Sequence, residues 1–141
     1  MSFLLDTNVL SEWTKPRPNP GVAVWTADVD EDRVFLSVVT LAELRHGIER
    51  LATGKRRRRL EEWLREDLLV RFEGRVLAID AGIAGRWGRI VARGEAAGRP
   101  IGAMDAFMAA TAEAHALTLV TRNTADFAGS VSRMVNPWSG D

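Results

Sequence analysis

With 46% hydrophobic and 27% charged residues in 141 positions, the chain lies well outside the disordered regime and is long enough for a self-sufficient core, so one domain over residues 1–141 is expected. Nineteen basic and nineteen acidic residues cancel, which argues against gripping nucleic acid by charge alone, yet residues 45–75 carry ten basic and six acidic groups, a net +4 against −4 elsewhere, enough for a local phosphate-binding face. The absence of cysteine excludes a disulfide framework and a thiolate zinc site; no stretch approaches the ~18 apolar residues of a spanning helix and MSFLLDTNVL lacks a basic n-region, so a cytoplasmic protein without membrane association is expected.

The first apolar run, Phe3 to Leu5, reads as a buried strand that ends on a carboxylate, Asp6, with Thr7 and Asn8 directly behind it. KPRPNPG (15–21) is a loop, and Asn19-Pro20 is an N-cap with proline at the first helical position, placing Val22, Trp25 and Val29 on one face. Val34 to Ser37 is a short strand. From Val38 to about Thr53, Leu41, Leu44, Ile48 and Leu51 keep helical spacing, and Gly54 closes the element. A second helix, about Lys55 to Leu69, turns Leu60, Trp63, Leu64 and Leu68 inward and offers Glu61 and Arg65 as an i,i+4 pair; the two helices form a hairpin. Val76 to Ile79 is the next strand, and Asp80 caps a helix carrying Ile83, Trp87, Ile90 and Val91. After a break over Gly94 to Pro100, a helix runs from about Ala103 to Ala116 with Met104, Phe107, Met108 and Ala112 toward the core. Leu117 to Thr121 and Arg133 to Val135 complete the strands, before the NPW tail.

Short, non-alternating apolar strands separated by helices predict an α/β fold, a parallel sheet covered on both faces. Ligands of such sheets sit beyond the carboxyl ends of the strands, where Asp6 lies. Glu43, Asp105, Asn123 and Asp126 belong to segments that reach the same end, although Glu43 is 37 positions from Asp6 and Asp105 a further 62 along. Each has a local explanation. Asp6 serves as a helix cap, Glu43 closes a capping box with Thr40, Asp105 complements a helix dipole, Asn123 is a turn residue and Asp126 a loop acid or cap. That all of them face one end of the sheet speaks for a shared site.

LLDTNVLSEW, SVVTLAELRHGIERL and PIGAMDAFMAATAEAHALTLVTRNTADF resemble, in order and over most of the chain, the PIN domain of VapC-type toxin nucleases, the subgroup that includes FitB. The resemblance implies an α/β/α sandwich with a central, mostly parallel sheet and a helical hairpin. It makes Asp6, Glu43 and Asp105 match the family's metal-binding acids, with magnesium or manganese as the ion. The fourth position falls on Asn123, where other members often carry aspartate, and Asp126 is the nearest acid that stands in for it or supports it. Arg122, Thr7 and Asn8 are the candidate substrate contacts. The activity implied is hydrolysis of phosphodiester bonds in structured RNA, transfer or ribosomal, by an endoribonuclease toxin neutralised by a cognate antitoxin and acting as a homodimer.

That chemistry suits these side chains. Hard divalent ions take carboxylate oxygens and water, lower the pKa of water and offset the charge that develops on phosphate. Two carboxylates ~5 Å apart at an effective dielectric of ~20 repel by roughly 3 kcal/mol, so the cluster asks for a cation. His46 and His115 read as structural, and Trp13 as a packed helix residue or a base-stacking platform. KRRRR (55–59) reads either as a solvated helix start paired with Glu61, Glu62 and Glu66 or as a phosphate contact. Two other functions compete: a catalytically weak binding module within a FitB-like, DNA-binding partner complex, and a receiver-type phosphoacceptor using Asp80. The latter lacks a lysine at the end of LTLVT.

Overall fold

A computed structural model describes residues 1–139; positions 140 and 141, the end of the span read as one domain, lie outside the described residues. Five strands form one sheet in the order β3, β2, β1, β4, β5: β1 is Phe3–Leu5, β2 Val34–Ser37, β3 Val76–Leu77, β4 Thr118–Val120 and β5 Met134–Val135. All four pairings are parallel, so the sheet is wholly rather than mostly parallel. Period two along β1 sends Leu4 and Leu5 to opposite faces, and both are fully buried. Leu4 joins the cluster with Leu119, Ile83 and Met108, and Leu5 the one with Val120, Leu36 and Leu68. A sheet buried on both sides needs no polar alternation, which is why its strands are short apolar runs.

The helices are α1 (Thr7–Trp13), α2 (Pro20–Asp28), α3 (Val38–Glu49), α4 (Lys55–Glu62), α5 (Leu69–Arg71), α6 (Ala81–Ala96), α7 (Ala103–Ala114) and α8 (Thr124–Phe127). Asn19 caps α2 as expected, accepting from Gly21 N–H at 2.9 Å, and Asp80 caps α6, accepting from Ile83 N–H at 2.9 Å. Gly21 has no room for a β-carbon, because the carbonyl of Pro137 lies against it and the C-terminal NPW segment packs there. No helix among the described residues is long and apolar enough to cross a membrane.

Four local expectations need correction. The second helix of the hairpin is not regular: between α4 and α5 the segment Trp63–Leu68 is π-helical, still burying Leu64 and Leu68. The wider π turn moves Arg65 off the face of Glu61. Glu61 pairs instead with Arg57, one α-helical turn earlier, at 2.9 Å, and Arg65 reaches Glu66 at 3.3 Å. Arg57 also bonds Glu49 at 3.1 Å and the Leu51 carbonyl at 3.3 Å, so the centre of KRRRR fastens the α3–α4 turn. Met104 is 45% exposed rather than packed inward, since it lies in the first turn of α7, at its outer edge. The last helical turn expected near Thr53 is absent, α3 ending at Glu49.

Candidate active site

Asp6 follows β1 and caps α1, its Oδ1 accepting from the Thr7 N–H at 2.8 Å. The capping role is real, and it uses one oxygen. The other, Oδ2, accepts from the hydroxyl of Thr121 at 2.7 Å and from Asn8 Nδ2 at 3.3 Å. Sheet register dictates the first of these contacts: Leu5 pairs with Val120, so the next residue of each strand, Asp6 and Thr121, meet at the carboxyl edge. Burial raises the pKa of Asp6; the bonds from Thr121 and Thr7 oppose that, and the charges of Glu43 and Asp126 add to it.

Glu43 does not close a capping box. Ser37 caps α3, its Oγ accepting from Val39 N–H at 3.0 Å, which leaves Thr40 buried inside the helix. Glu43 Oε1 instead accepts from the Thr7 hydroxyl at 2.6 Å. Thr7 therefore steadies two acids at once, one through its backbone and one through its side chain. Asp105 lies in the first turn of α7, and its carboxylate accepts no hydrogen bond from the described residues. Burial, followed by the charges of Asp6, Asp126 and Glu43, pushes its pKa up to about 6. The sequence-distant acids thus feel one another, as a shared site requires.

Asp6, Glu43 and Asp105 line a crevice of about 380 Å³ together with Thr7, Asn8, Arg122 and Asn123. Asp126 lies in α8 and lines the adjoining cavity with Asp105, its charge still reaching Asp6. Asn123 presents its N–H to the Thr121 hydroxyl at 3.0 Å, and its side chain makes no capping bond. Arg122 sits over the Trp138 ring, 5.6 Å from its centroid, and its N–H approaches Asn8 Oδ1 at 3.4 Å. His46, His115 and the basic run 55–59 do not line this crevice. Neither does Trp13, whose Nε1 donates to Thr26 at 3.0 Å while its ring stacks on Phe72.

Three residues in or behind the crevice escape sequence reasoning. Thr121 is fully buried and becomes a partner of Asp6 only through strand register. Glu12, 6% exposed, accepts from Lys15 at 2.9 Å and from Asn19 N–H at 2.8 Å, and these bonds hold its pKa below the usual value. Its signal was an acid two turns beyond Asp6 within the same helix. Trp138 is brought to the crevice by the close packing of Pro137 on Gly21.

The donors are carboxylate and hydroxyl oxygens, the set that magnesium and manganese take, and the mutual repulsion recorded at Asp105 is what a cation would relieve. Among the described residues no three acidic or imidazole side chains already form a ready-made cage. It is the donor chemistry, oxygen from carboxylates and hydroxyls, and not a closed cage, that fits a hard divalent cation.

The PIN domain matches residues 3–128, and the chain belongs to that family. Toxin FitB of Neisseria gonorrhoeae is 40% identical over 136 residues, covering 96% of this chain and 98% of its own. VapC ribonuclease Y4jK of Sinorhizobium fredii is 36% identical over the same length, covering 96% and 97%. In the solved structure of FitAB bound to an IR36 DNA fragment, a chain 38% identical superposes with a TM-score of 0.90 over 96% of this chain and 95% of that one.

Proposed function

We propose that the chain is an endoribonuclease toxin of a toxin–antitoxin pair, hydrolysing phosphodiester bonds in structured RNA with magnesium or manganese in the crevice. The observation that carries this is the convergence of Asp6, Glu43 and Asp105 beyond the carboxyl edge of the sheet, from three distant segments, with Asp105 raised to about 6. Membership of the PIN family and likeness to a protein named a VapC ribonuclease support the same reading. Asp6, Glu43 and Asp105 would hold the ion, with Asp126 contributing charge and Asn123 at the rim. When bound, the ion supplies positive charge beside the scissile phosphate and lowers the pKa of water there.

The chain's own groups do the remaining work. Thr121 and the Thr7 N–H fix the Asp6 carboxylate, and the Thr7 hydroxyl fixes Glu43, so that neither acid must reorganise as charge develops. Arg122, exposed on the crevice wall, would meet a phosphate oxygen, and Asn8 steadies the backbone that carries it. An antitoxin segment would occupy the same crevice, a cationic side chain meeting the acids. The toxin acts where its substrate is, in the cytoplasm, and as a homodimer, which light scattering of the purified chain would check.

The test is cleavage of transfer and ribosomal RNA by purified protein with magnesium or manganese, with chelator, and after Asp6→Asn or Asp105→Asn. Cleavage by the wild type that chelator and both substitutions reduce to background supports the function. Equal RNA ends in all samples would instead favour a DNA-bound partner complex without turnover. Asn123 at the fourth position and the likeness to FitB, solved within a FitAB–DNA complex, are what favour that second reading.

A further inference from the structure

Beside the acidic crevice lies a second cavity of about 410 Å³, within the ~300–1,000 Å³ range of small-ligand pockets. Asp105 belongs to both, so the two are contiguous at that side chain. One wall is basic: Arg93, near the end of α6, and Arg99, in the loop that follows. Although six positions apart, they share this wall because the chain doubles back between them. Gly98 adopts a left-handed conformation with φ of 68°, and the Arg99 N–H bonds the Gly94 carbonyl at 2.8 Å. The turn is tight enough that a β-carbon on Gly94 would stand 2.8 Å from the Arg99 carbonyl, so the backbone that carries the second arginine is fixed.

Both guanidinium groups are exposed and form no ion pair among the described residues. Arg57, Arg71 and Arg75, by contrast, are engaged by Glu49, Glu61, Glu31 or backbone carbonyls. The lining also includes the apolar Ile90 and Ile101. One cavity therefore combines Asp105, shared with the candidate catalytic crevice, with apolar side chains and two cations outside any ion pair. An RNA strand brings the same three chemistries: a reacting phosphate, a ribose and base, and the next phosphate.

We propose that this cavity is a nucleotide subsite, in which Arg93 and Arg99 take the RNA phosphate adjacent to the one cleaved while the ribose and base rest over Ile90 and Ile101. This rests on the nuclease reading of the crevice and adds substrate positioning to it. A substrate must then extend past the scissile bond to be cut well. Single-stranded or locally opened RNA fits such a slot, since a paired base cannot enter it.

The test uses the full chain carrying Asp6→Asn, which binds without cutting, and a fluorescent single-stranded RNA oligonucleotide read by anisotropy across a salt series. Adding Arg93→Gln and Arg99→Gln is expected to weaken binding about tenfold at low salt. The log–log salt slope should fall by roughly 0.7 for the pair, one phosphate's worth, with the melting temperature unchanged. In the cutting-competent chain the same pair should raise KM for an oligonucleotide and leave cleavage of a dinucleotide, which has no second phosphate, as it was. Unchanged affinity and slope would overturn the subsite, as would equal damage to dinucleotide cleavage, or a loss confined to binding of an acidic protein segment. Should the protein cut no RNA yet bind it through these arginines, the subsite stands and the nuclease reading falls.

Discussion

The carboxyl of Asp105, raised to about 6 by burial and by Asp6, Asp126 and Glu43, gives the metal-free protein a pH dependence of defined sign. The same group titrates near 3.8 when unperturbed. Between those values the folded chain holds a proton that the unfolded chain has released, so stability falls as pH rises through about 6. Asp6, also raised, acts in the same direction. Glu12 acts oppositely, its stabilising effect being lost as pH falls below the ordinary value of 4.5, outside this window. Calorimetry without divalent ions should therefore give a higher melting temperature near about pH 5 than near about pH 7.5, and Asp105→Asn should flatten the difference. A melting temperature that climbs with pH across that interval would mean that burial and the neighbouring acids do not raise Asp105. Thr121 offers a second residue-level test. Its buried hydroxyl is a donor to Asp6 Oδ2 and an acceptor for Asn123 N–H, so Thr121→Val takes the shorter bond from Asp6 Oδ2 and the acceptor from Asn123 and should cost about 1–3 kcal/mol in urea unfolding. Thr121→Ser keeps the hydroxyl and should lose clearly less; equal losses would assign the effect to packing.

Between elements, the turn from α7 into β4 contains a non-glycine residue in the left-handed region, Ala116 with φ of 53°. It follows the helix cap His115 and is exposed, so its methyl group contributes strain without burial. Ala116→Gly relieves the strain at some cost in chain entropy and should raise stability by up to about 1 kcal/mol. A destabilised variant in denaturant melts would show that the methyl packs after all. This turn was invisible in the sequence, where AHALTLV offers no glycine to mark it. Elements with strong local signals were legible: the Asn19-Pro20 start of α2, the Asp80 cap, and the apolar face of α6 all lie where the spacing puts them. What failed depended on geometry that spacing does not encode. A π-helical turn rearranged the Glu61 and Arg65 pairing, and a cap one turn earlier, Ser37, removed Thr40 and Glu43 from a capping box.

In the whole molecule, the sheet order puts β1 between β2 and β4, so the chain extends from β1 toward β3 and later returns to the other side at β4. A crevice opens at that reversal, beyond the carboxyl ends of the strands. Asp6 stands at its centre, Glu43 enters from the β2 side and Asp105 precedes β4. Parallel, doubly covered strands made the fold readable from short apolar runs, and Asp6 and Glu43 were readable because each ends or follows such a run, whereas Asp105 stood out by opening a helix. Thr121 and Trp138 were not, since only strand register brings Thr121 against Asp6 and only the seating of the C-terminal segment brings Trp138 to the crevice. A divalent ion binding there should add roughly 3 kcal/mol of stability at a hundredfold excess over its dissociation constant, which Asp6→Asn should abolish. The most direct measurement is anomalous diffraction from a crystal grown with manganese. A manganese peak contacted by carboxylate oxygens of Asp6, Glu43 or Asp105 is the expected result, and a fully loaded crystal with no density in that crevice would contradict it.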